Sequence, residues 1–168
     1  MERSGLNQIQ LMEPIFYLNY QNNSRSLTMK NVHILLVEDN EGDILLTVEA
    51  LEEGRIANII EVARDGQEAI DKLEKALHDN KLPDLVLLDI NLPKLNGHEV
   101  LERLKMTEGL AQIPVIILST SSSEVDIVKS HKNHANCFIT KPVEIDEFVK
   151  AIETIENFWF SFAKLPNQ

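Results

Sequence analysis

The stretch Leu85-Val86-Leu87-Leu88-Asp89 places four large apolar residues directly before a carboxylate. An uninterrupted apolar run of this length is typical of a strand that is buried on both faces, as in a parallel sheet. A second run, Ile34-Leu35-Leu36-Val37, ends on Glu38 and Asp39. Because residues that end different strands of a parallel sheet converge at one edge, we expect these three carboxylates to lie close together.

Two further apolar runs end on polar residues of other kinds. One closes on Leu118-Ser119-Thr120 and the other on Phe138-Ile139-Thr140-Lys141-Pro142. At the same edge of the sheet they would add the hydroxyl group of Ser119 and the ammonium group of Lys141 to the carboxylates. Each of these pairs is common without a function, but their joint occurrence at four strand ends predicts a functional site.

From Val32 onward, short apolar runs alternate with segments of helical period, which predicts an α/β fold with a parallel sheet. We expect strands at about 33–38, 56–62, 84–89, 114–119 and 136–140, each followed by a helix. The last helix, over about 144–162, carries a single apolar seam. The run Thr120-Ser121-Ser122-Ser123-Glu124 predicts a loop and a capping box for a short helix.

The composition, 43% hydrophobic and 26% charged residues in a chain of 168, is that of a soluble globular protein. This length fits one domain, which we place at residues 31–163. A net charge of −11 disfavours nonspecific binding to nucleic acid or to an anionic membrane. Cys137 is the only cysteine, so the sequence has no disulfide framework and a cytoplasmic location is expected.

The first thirty residues are rich in Asn, Gln and Ser and contain no apolar stretch long enough for a signal peptide core or a membrane span. We interpret residues 1–30 as a disordered leader and residues 164–168 as a tail. Two alternatives stay open for the leader. The chain starts at Met29 instead, or the segment Pro14-Ile15-Phe16-Tyr17-Leu18 docks on the domain.

The expected cluster of carboxylates requires a cation, because like charges at short distance otherwise raise each other's pKa. Mg²⁺ fits, since it prefers oxygen ligands and is usually held by one or two carboxylates together with phosphate oxygens. Asp89 alone follows the central apolar run, and we expect it to be the phosphoryl acceptor, a carboxylate nucleophile that forms an aspartyl phosphate. Mg²⁺ and Lys141 would offset the charge of the transferred group.

These motifs, in this order, resemble the receiver domain of two-component response regulators: Glu38-Asp39, Asp89 with Asn91-Leu92-Pro93 and Gly97, Ser119-Thr120, and Lys141-Pro142. The resemblance covers residues 30–157. It implies a flavodoxin-like (βα)5 fold, a doubly wound parallel sheet with strand order 2-1-3-4-5. More narrowly, residues 36–43 at the end of the first predicted strand and the aromatic end of the last helix resemble the small stand-alone regulators that partner cyanobacterial phytochrome histidine kinases.

The resemblance also implies the metal ligands. Asp39 is the main ligand of Mg²⁺, and Glu38 holds the metal through water. Asp89 and the backbone carbonyl of Asn91 complete the protein's share.

The resemblance assigns the switch to residues near the end of the sheet. Lys141 pairs with Asp89 at rest and with a phosphoryl oxygen afterwards, and a cis peptide at Pro142 aims it. Ser119 is drawn toward the phosphoryl group. Phe138 stands at the aromatic position three residues before the lysine, and because it has no hydroxyl group, the switch is read through ring packing.

The last helix ends on an unusual aromatic group, Phe158-Trp159-Phe160-Ser161-Phe162. Four aromatic side chains in five residues of a helix cannot all face one core, so some apolar surface should stay exposed unless a partner covers it. We therefore expect a homodimer that uses Phe158, Trp159, Phe160 and Phe162.

The expected function is phosphoryl acceptance from a sensor histidine kinase, followed by a conformational change. We expect no enzymatic activity beyond autophosphorylation and autodephosphorylation. The alternative is a receiver-like binding module that works without phosphorylation. A phosphohydrolase is disfavoured because such enzymes typically have a second Asp where this chain has Asn91. A flavin carrier is disfavoured because the loop after the first strand is acidic.

Overall fold

The computed structural model describes residues 32–53 and 58–162, without the side chains of residues 58, 161 and 162. The predicted leader, 1–30, and the predicted tail, 164–168, lie outside these residues, as does the start of the second predicted strand. None of the helices within the described ranges is both long and apolar enough to cross a membrane.

Five parallel strands form one sheet in the order β2-β1-β3-β4-β5, which confirms the predicted fold class and strand order. The strands are β1 (Val32–Val37), β2 (Asn58–Ala63), β3 (Leu85–Leu88), β4 (Val115–Ser119) and β5 (Cys137–Thr140). All of them lie within about two residues of the predicted bounds, since each apolar run fixes the extent of its strand.

Five helices connect or follow the strands: α1 (Glu41–Glu52), α2 (Gly66–His78), α3 (Gly97–Met106), α4 (Glu124–Lys132) and α5 (Ile145–Glu156). Two apolar clusters show how the helices cover the sheet. One contains α2, α3 and one face of the central strands, and the other contains α1, α5 and the opposite face. Burial on both faces explains why β1, β3 and β4 are continuous apolar runs in the sequence.

The register of the sheet decides which residues meet at its carboxyl edge. Val37 of β1 pairs with Leu88 of β3, so the residues that follow them, Glu38 and Asp89, leave the sheet side by side. On the other side of β3, Ser119 of β4 pairs with Thr140 of β5. This pairing places Ser119 next to the residue that follows Thr140, which is Lys141.

The prediction of one continuous last helix is wrong. The α-helix ends at Glu156, and a π-helical turn, Asn157–Phe162, follows it. At the point where the pitch changes, the side chain of Asn157 donates a hydrogen bond from Nδ2 to the carbonyl of Glu153, 2.9 Å away, and the backbone N–H of Asn157 donates to the same carbonyl.

The predicted capping box of α4 is also wrong, because the described residues do not form its hydrogen bonds. Ser123 is the N-cap, but its side chain makes no cap hydrogen bond. In a capping box the side chain of the third helical residue turns back to the cap. Here that residue is Asp126, and its carboxylate instead contacts Ser121 and His98.

Candidate functional site

The three predicted carboxylates meet at the carboxyl edge of the sheet. Glu38 and Asp39 follow β1, Asp89 follows β3, and one carboxylate oxygen of each lies within 4.8 Å of the others. Glu38 and Asp89 are buried, with 2% and 6% of their surface exposed, whereas Asp39 is exposed. The cluster is therefore open to solvent at Asp39.

The two oxygens of Asp89 have different surroundings. Oδ1 accepts the backbone N–H of Ile90 at 2.6 Å and that of Asn91 at 3.3 Å. Oδ2 accepts from Nζ of Lys141 at 3.1 Å. The backbone thus fixes the orientation of the carboxylate and turns Oδ2 toward the ammonium group.

Gly97, the first residue of α3, lets the helix start directly against the acceptor. A Cβ at this position would lie 2.1 Å from the backbone oxygen of Asp89, closer than non-bonded atoms approach. The amide of Gly97 donates to the carbonyl of Ile90 at 2.8 Å. Because this contact involves two backbones, only glycine fits here.

Lys141 is placed by the end of β5, where its backbone N–H donates to the carbonyl of Ser119 at 2.8 Å. Its ammonium group donates to Glu38 at 2.5 Å, to Asp43 at 2.8 Å and to Asp89 at 3.1 Å. The residue is only 7% exposed. All three N–H bonds of the ammonium group have carboxylate acceptors.

The electrostatics of the site follow from this burial. Burial raises the pKa of Glu38 above its ordinary value, with the neighbouring Asp89 adding to the rise, although Lys141 acts in the opposite direction. Burial alone would lower the pKa of Lys141, but its hydrogen bonds to Asp43 and Glu38 and the charge of Asp89 outweigh burial and raise it. Lys141 is therefore charged at neutral pH.

The donor set fits a hard divalent cation. Glu38, Asp39 and Asp89 offer only oxygen atoms, which suit Mg²⁺ or Mn²⁺ and do not suit a thiolate-preferring metal. One ammonium group cannot balance three clustered carboxylates, so a divalent cation would relieve their repulsion. The side chain of Asn91 is exposed, and the ligand role of its carbonyl stays a prediction.

A chain of hydrogen bonds leads from the site to α3 and α4. Oγ of the fully buried Ser119 accepts the N–H of Ser121 at 3.3 Å. The hydroxyl group of Ser121 donates to Asp126 at 2.5 Å, and the other oxygen of Asp126 lies 3.1 Å from Nε2 of the buried His98. The bonds from Ser121 and then from His98 lower the pKa of Asp126.

The other two predicted switch residues are Phe138 and Pro142. Phe138 is half-buried and packs against the apolar cluster of α2 and α3, and its role in the switch stays a prediction. The expected cis peptide at Pro142 is wrong, because the described part of the chain contains no cis peptide bond. The trans form is also the favoured state of bonds that precede proline, by about 0.5–1 kcal/mol.

The aromatic end divides between core and surface. Trp159 and Phe160 are half-buried and pack against the cluster of α1 and α5, whereas Phe158 is 55% exposed. The rings of Phe158 and Trp159 meet edge to face, with centroids 5.5 Å apart. The side chain of Phe162 lies outside the described residues.

Sequence reasoning missed two parts of this arrangement. Asp43 contacts Lys141 from the first turn of α1, and no short pattern in the sequence indicates this contact. His98 and Asp126 are 28 residues apart on different helices, and no local pattern in the sequence pairs them.

Comparison with known proteins agrees with this geometry. The sequence matches the response regulator receiver domain over residues 34–153. FilR2 of Methanothrix harundinacea, a probable methanogenesis regulatory protein, is 40% identical over 79% of this chain and 86% of its own. The response regulator Rcp1 of Synechocystis sp. is 38% identical over 79% of this chain and 92% of its own.

Solved structures of response regulators have the same fold as this chain. The phosphorylated cyanobacterial phytochrome response regulator RcpA superposes with a TM-score of 0.78 at 42% identity, over 82% of this chain and 99% of RcpA. The Mn²⁺-bound form of Rcp1 gives a TM-score of 0.76 at 38% identity, over 81% of this chain and 99% of Rcp1. The acidic cluster, the strand order and these matches lead to one conclusion: the chain belongs to the response regulator receiver domain family.

Proposed function

We propose that this receiver domain takes a phosphoryl group from a sensor histidine kinase onto Asp89, in a reaction that depends on Mg²⁺ held by Glu38, Asp39 and Asp89. One observation carries the proposal. The only carboxylate oxygen of Asp89 that the backbone leaves free faces the ammonium group of Lys141 at 3.1 Å, at the edge where the three carboxylates meet.

In this proposal, the phosphoryl group is transferred from a phosphohistidine of the kinase. Oδ2 of Asp89 attacks the phosphorus atom, and the phosphorus–oxygen bond forms as the phosphorus–nitrogen bond to the imidazole breaks. The imidazole keeps the electron pair of that bond and takes a proton from solvent. The product is an acyl phosphate on Asp89.

The residues of the site serve this step in separate ways. The amides of Ile90 and Asn91 hold Oδ1, so the nucleophilic oxygen keeps one orientation. Lys141, charged and nearly fully buried, offers a fixed positive charge to the phosphoryl oxygens. Mg²⁺ bound by the carboxylates would neutralise further charge on the same oxygens. This assignment makes the protein a phosphoryl acceptor in signalling.

The switch follows from the charge that phosphorylation adds, about −1.5 to −2 together with three acceptor oxygens. We propose that the hydroxyl group of Ser119 turns to donate to a phosphoryl oxygen. That movement would break its bond with the Ser121 amide and disturb the chain through Asp126 to His98. A nearly complete switch needs roughly 5 kcal/mol, so the hydrogen bond supplies only part of it.

We propose a phytochrome-type histidine kinase as the partner. Support comes from the relatives, since RcpA is described as a phytochrome response regulator. The net charge of −11 favours a protein partner over nucleic acid or a membrane surface, and a cytoplasmic location fits a kinase-linked regulator.

We further propose a homodimer that covers the exposed ring of Phe158 together with its aromatic neighbours. Sedimentation velocity of the wild type and of Phe158→Ser tests it. Dimers in the wild type that dissociate in the variant would support the proposal, and a monomeric wild type at high concentration, with or without phosphorylation, would contradict it.

The intact mass after incubation with Mg²⁺ and acetyl phosphate tests phosphoryl acceptance. We expect the gain of one phosphoryl group, which EDTA and the substitution Asp89→Asn both abolish. Asp71→Asn, a matched change on the exposed surface of α2, should leave the gain intact. No gain, with Mg²⁺ binding retained, would favour the alternative of a binding module that works without phosphorylation. A gain that survives in Asp89→Asn would place the acceptor elsewhere.

A further inference from the structure

The ammonium group of Lys141 has no spare hydrogen-bond donor. Its three N–H bonds are directed to Glu38, Asp43 and Asp89. Phosphorylation turns Oδ2 of Asp89 into an uncharged acyl oxygen, so the N–H bond that Oδ2 accepted becomes available to a phosphoryl oxygen. A second N–H contact with the phosphoryl group requires the release of Glu38 or Asp43. Which acceptor it releases determines how easily the phosphorylated state forms.

Burial separates these two candidates. The side chain of Glu38 is 3% exposed, so its carboxylate would not be well hydrated without its partner. The side chain of Asp43 is 31% exposed, and water can replace the ammonium group there. Since an unpaired buried charge costs far more than a hydrated one, Asp43 is the acceptor that Lys141 releases most easily.

We infer that Asp43 is a positioning residue, which holds Lys141 in the resting protein and competes with the phosphoryl oxygen for its ammonium group. The inference rests on the proposed function, because it concerns how the phosphorylated state forms. By this competition Asp43 biases the domain toward the resting state. Its removal frees a second N–H bond of Lys141 for the phosphoryl group.

The backbone of Asp43 is held independently of its carboxylate. Its amide donates to Oδ1 of the N-cap Asn40 at 3.0 Å, and its carbonyl accepts from Thr47 Oγ1 at 2.7 Å. These bonds fix the first turn of α1. The substitution Asp43→Asn therefore removes the charge that pairs with Lys141 and keeps the helix in place.

Beryllium fluoride, which mimics a phosphoryl group on a carboxylate, provides the test. Its affinity is measured with saturating Mg²⁺ for the wild type, Asp43→Asn, Asp43→Glu and Glu52→Gln. Saturation matters because the loss of a nearby negative charge also weakens Mg²⁺ binding. Glu52→Gln is the matched control, an equal charge change at an exposed position of the same helix.

We expect Asp43→Asn to bind beryllium fluoride about fivefold more tightly than the wild type, the effect of losing one partly exposed ion pair. Asp43→Glu should keep the affinity of the wild type, because it restores the charge, and Glu52→Gln should match it as well. A residue with only a structural role would change the thermal unfolding midpoint and would not tighten binding of the analogue.

The outcomes separate this inference from the proposed function. If the wild type binds beryllium fluoride and Asp43→Asn binds it equally or more weakly, the inference about Asp43 is overturned and the proposed function stands. Tighter binding by Glu52→Gln to the same degree would overturn it too, since the effect would then be one of overall charge. If the wild type binds none, both fail together.

Discussion

The loops after β1, β2 and β3 differ from those after β4 and β5 in how firmly they are held. Side-chain caps begin the first three helices, from Asn40, Asp65 and Asn96. Within the described structure, α4 and α5 begin at Ser123 and Glu144 without a side-chain cap bond.

Ion pairs strengthen the first region further. Glu41 of α1 contacts Arg64 after β2 at 2.7 Å, and Asp65 contacts Lys94 before α3 at 2.6 Å. Each pair joins two of the loops that surround the acidic cluster. We call the part from β1 to α3 the fixed half and the part from β4 to α5 the switch half.

The division matches the two tasks of the proposed function. The expected metal ligands and the acceptor Asp89 belong to the fixed half, where their geometry is held. Ser119 and Lys141 belong to the switch half, and Lys141 reaches across to the acceptor. A new group on Asp89 would therefore attract residues of the more loosely held half, and elements that move in a switch are expected to be of low local stability.

The substitution with the largest expected effect is Gly97→Ala in the fixed half. The new Cβ would lie 2.1 Å from the backbone oxygen of Asp89, and neither backbone can move without disturbing the acceptor loop. We expect the free energy of unfolding, measured in urea, to fall by about 3 kcal/mol.

Gly42→Ala is its control. There the nearest atom is the side-chain oxygen of Asn40 at 3.1 Å, which can shift. The variant should stay within about 0.5 kcal/mol of the wild type. Equal losses in both variants would mean that the backbone contact at Gly97 is unimportant.

Removal of a helix cap should have a smaller effect on the free energy of unfolding. One cap variant in each half allows the halves to be compared directly. Asn96 forms a complete capping box with Glu99, so Asn96→Ala should reduce the free energy of unfolding by about 1 kcal/mol. Ser123 makes no side-chain cap bond, so Ser123→Ala should change it by less than about 0.5 kcal/mol. If chemical denaturation shows that both variants lose a similar free energy of unfolding, the two halves do not differ in helix capping.

The smallest expected effect concerns Asp126, which ties the two halves through His98 and Ser121. Its pKa is lowered in the folded protein, so its charge stabilises the fold above the unfolded value of about 3.9, and this contribution is lost as the pH falls through the folded value. Asp126→Asn should therefore cost about 0.5 kcal/mol near pH 7, and less below about pH 4.

Urea denaturation at several pH values measures this difference. Asp146→Asn is the matched control, because Asp146 also lies in the first turn of a helix without a side-chain cap bond in the described structure. At neutral pH, Asp146→Asn should lose less free energy of unfolding than Asp126→Asn. If the free energy of unfolding that Asp126→Asn loses does not depend on pH, the charge of Asp126 does not contribute to its contacts with Ser121 and His98.

The parts of the molecule that were predictable share one physical origin. The strands followed from apolar runs that are buried on both faces, and Asp89, Ser119 and Lys141 were found because each lies at a strand end. The strand order came from the resemblance to receiver domains. Asp43 and the pair of His98 with Asp126 were missed because helical side chains meet through packing that short sequence patterns do not encode. The π-helical turn escaped because the apolar spacing of residues 144–162 predicts a single continuous helix.

The division into a fixed and a switch half is tested most directly by amide hydrogen exchange with Mg²⁺, with and without beryllium fluoride, using Asp89→Asn as the control. We predict that the analogue changes exchange mainly in the β4–α4 loop, α4 and β5, that it leaves α1 to α3 nearly unchanged, and that the control shows neither effect. Changes that are equal in both halves, or larger in α1 to α3, would contradict the account.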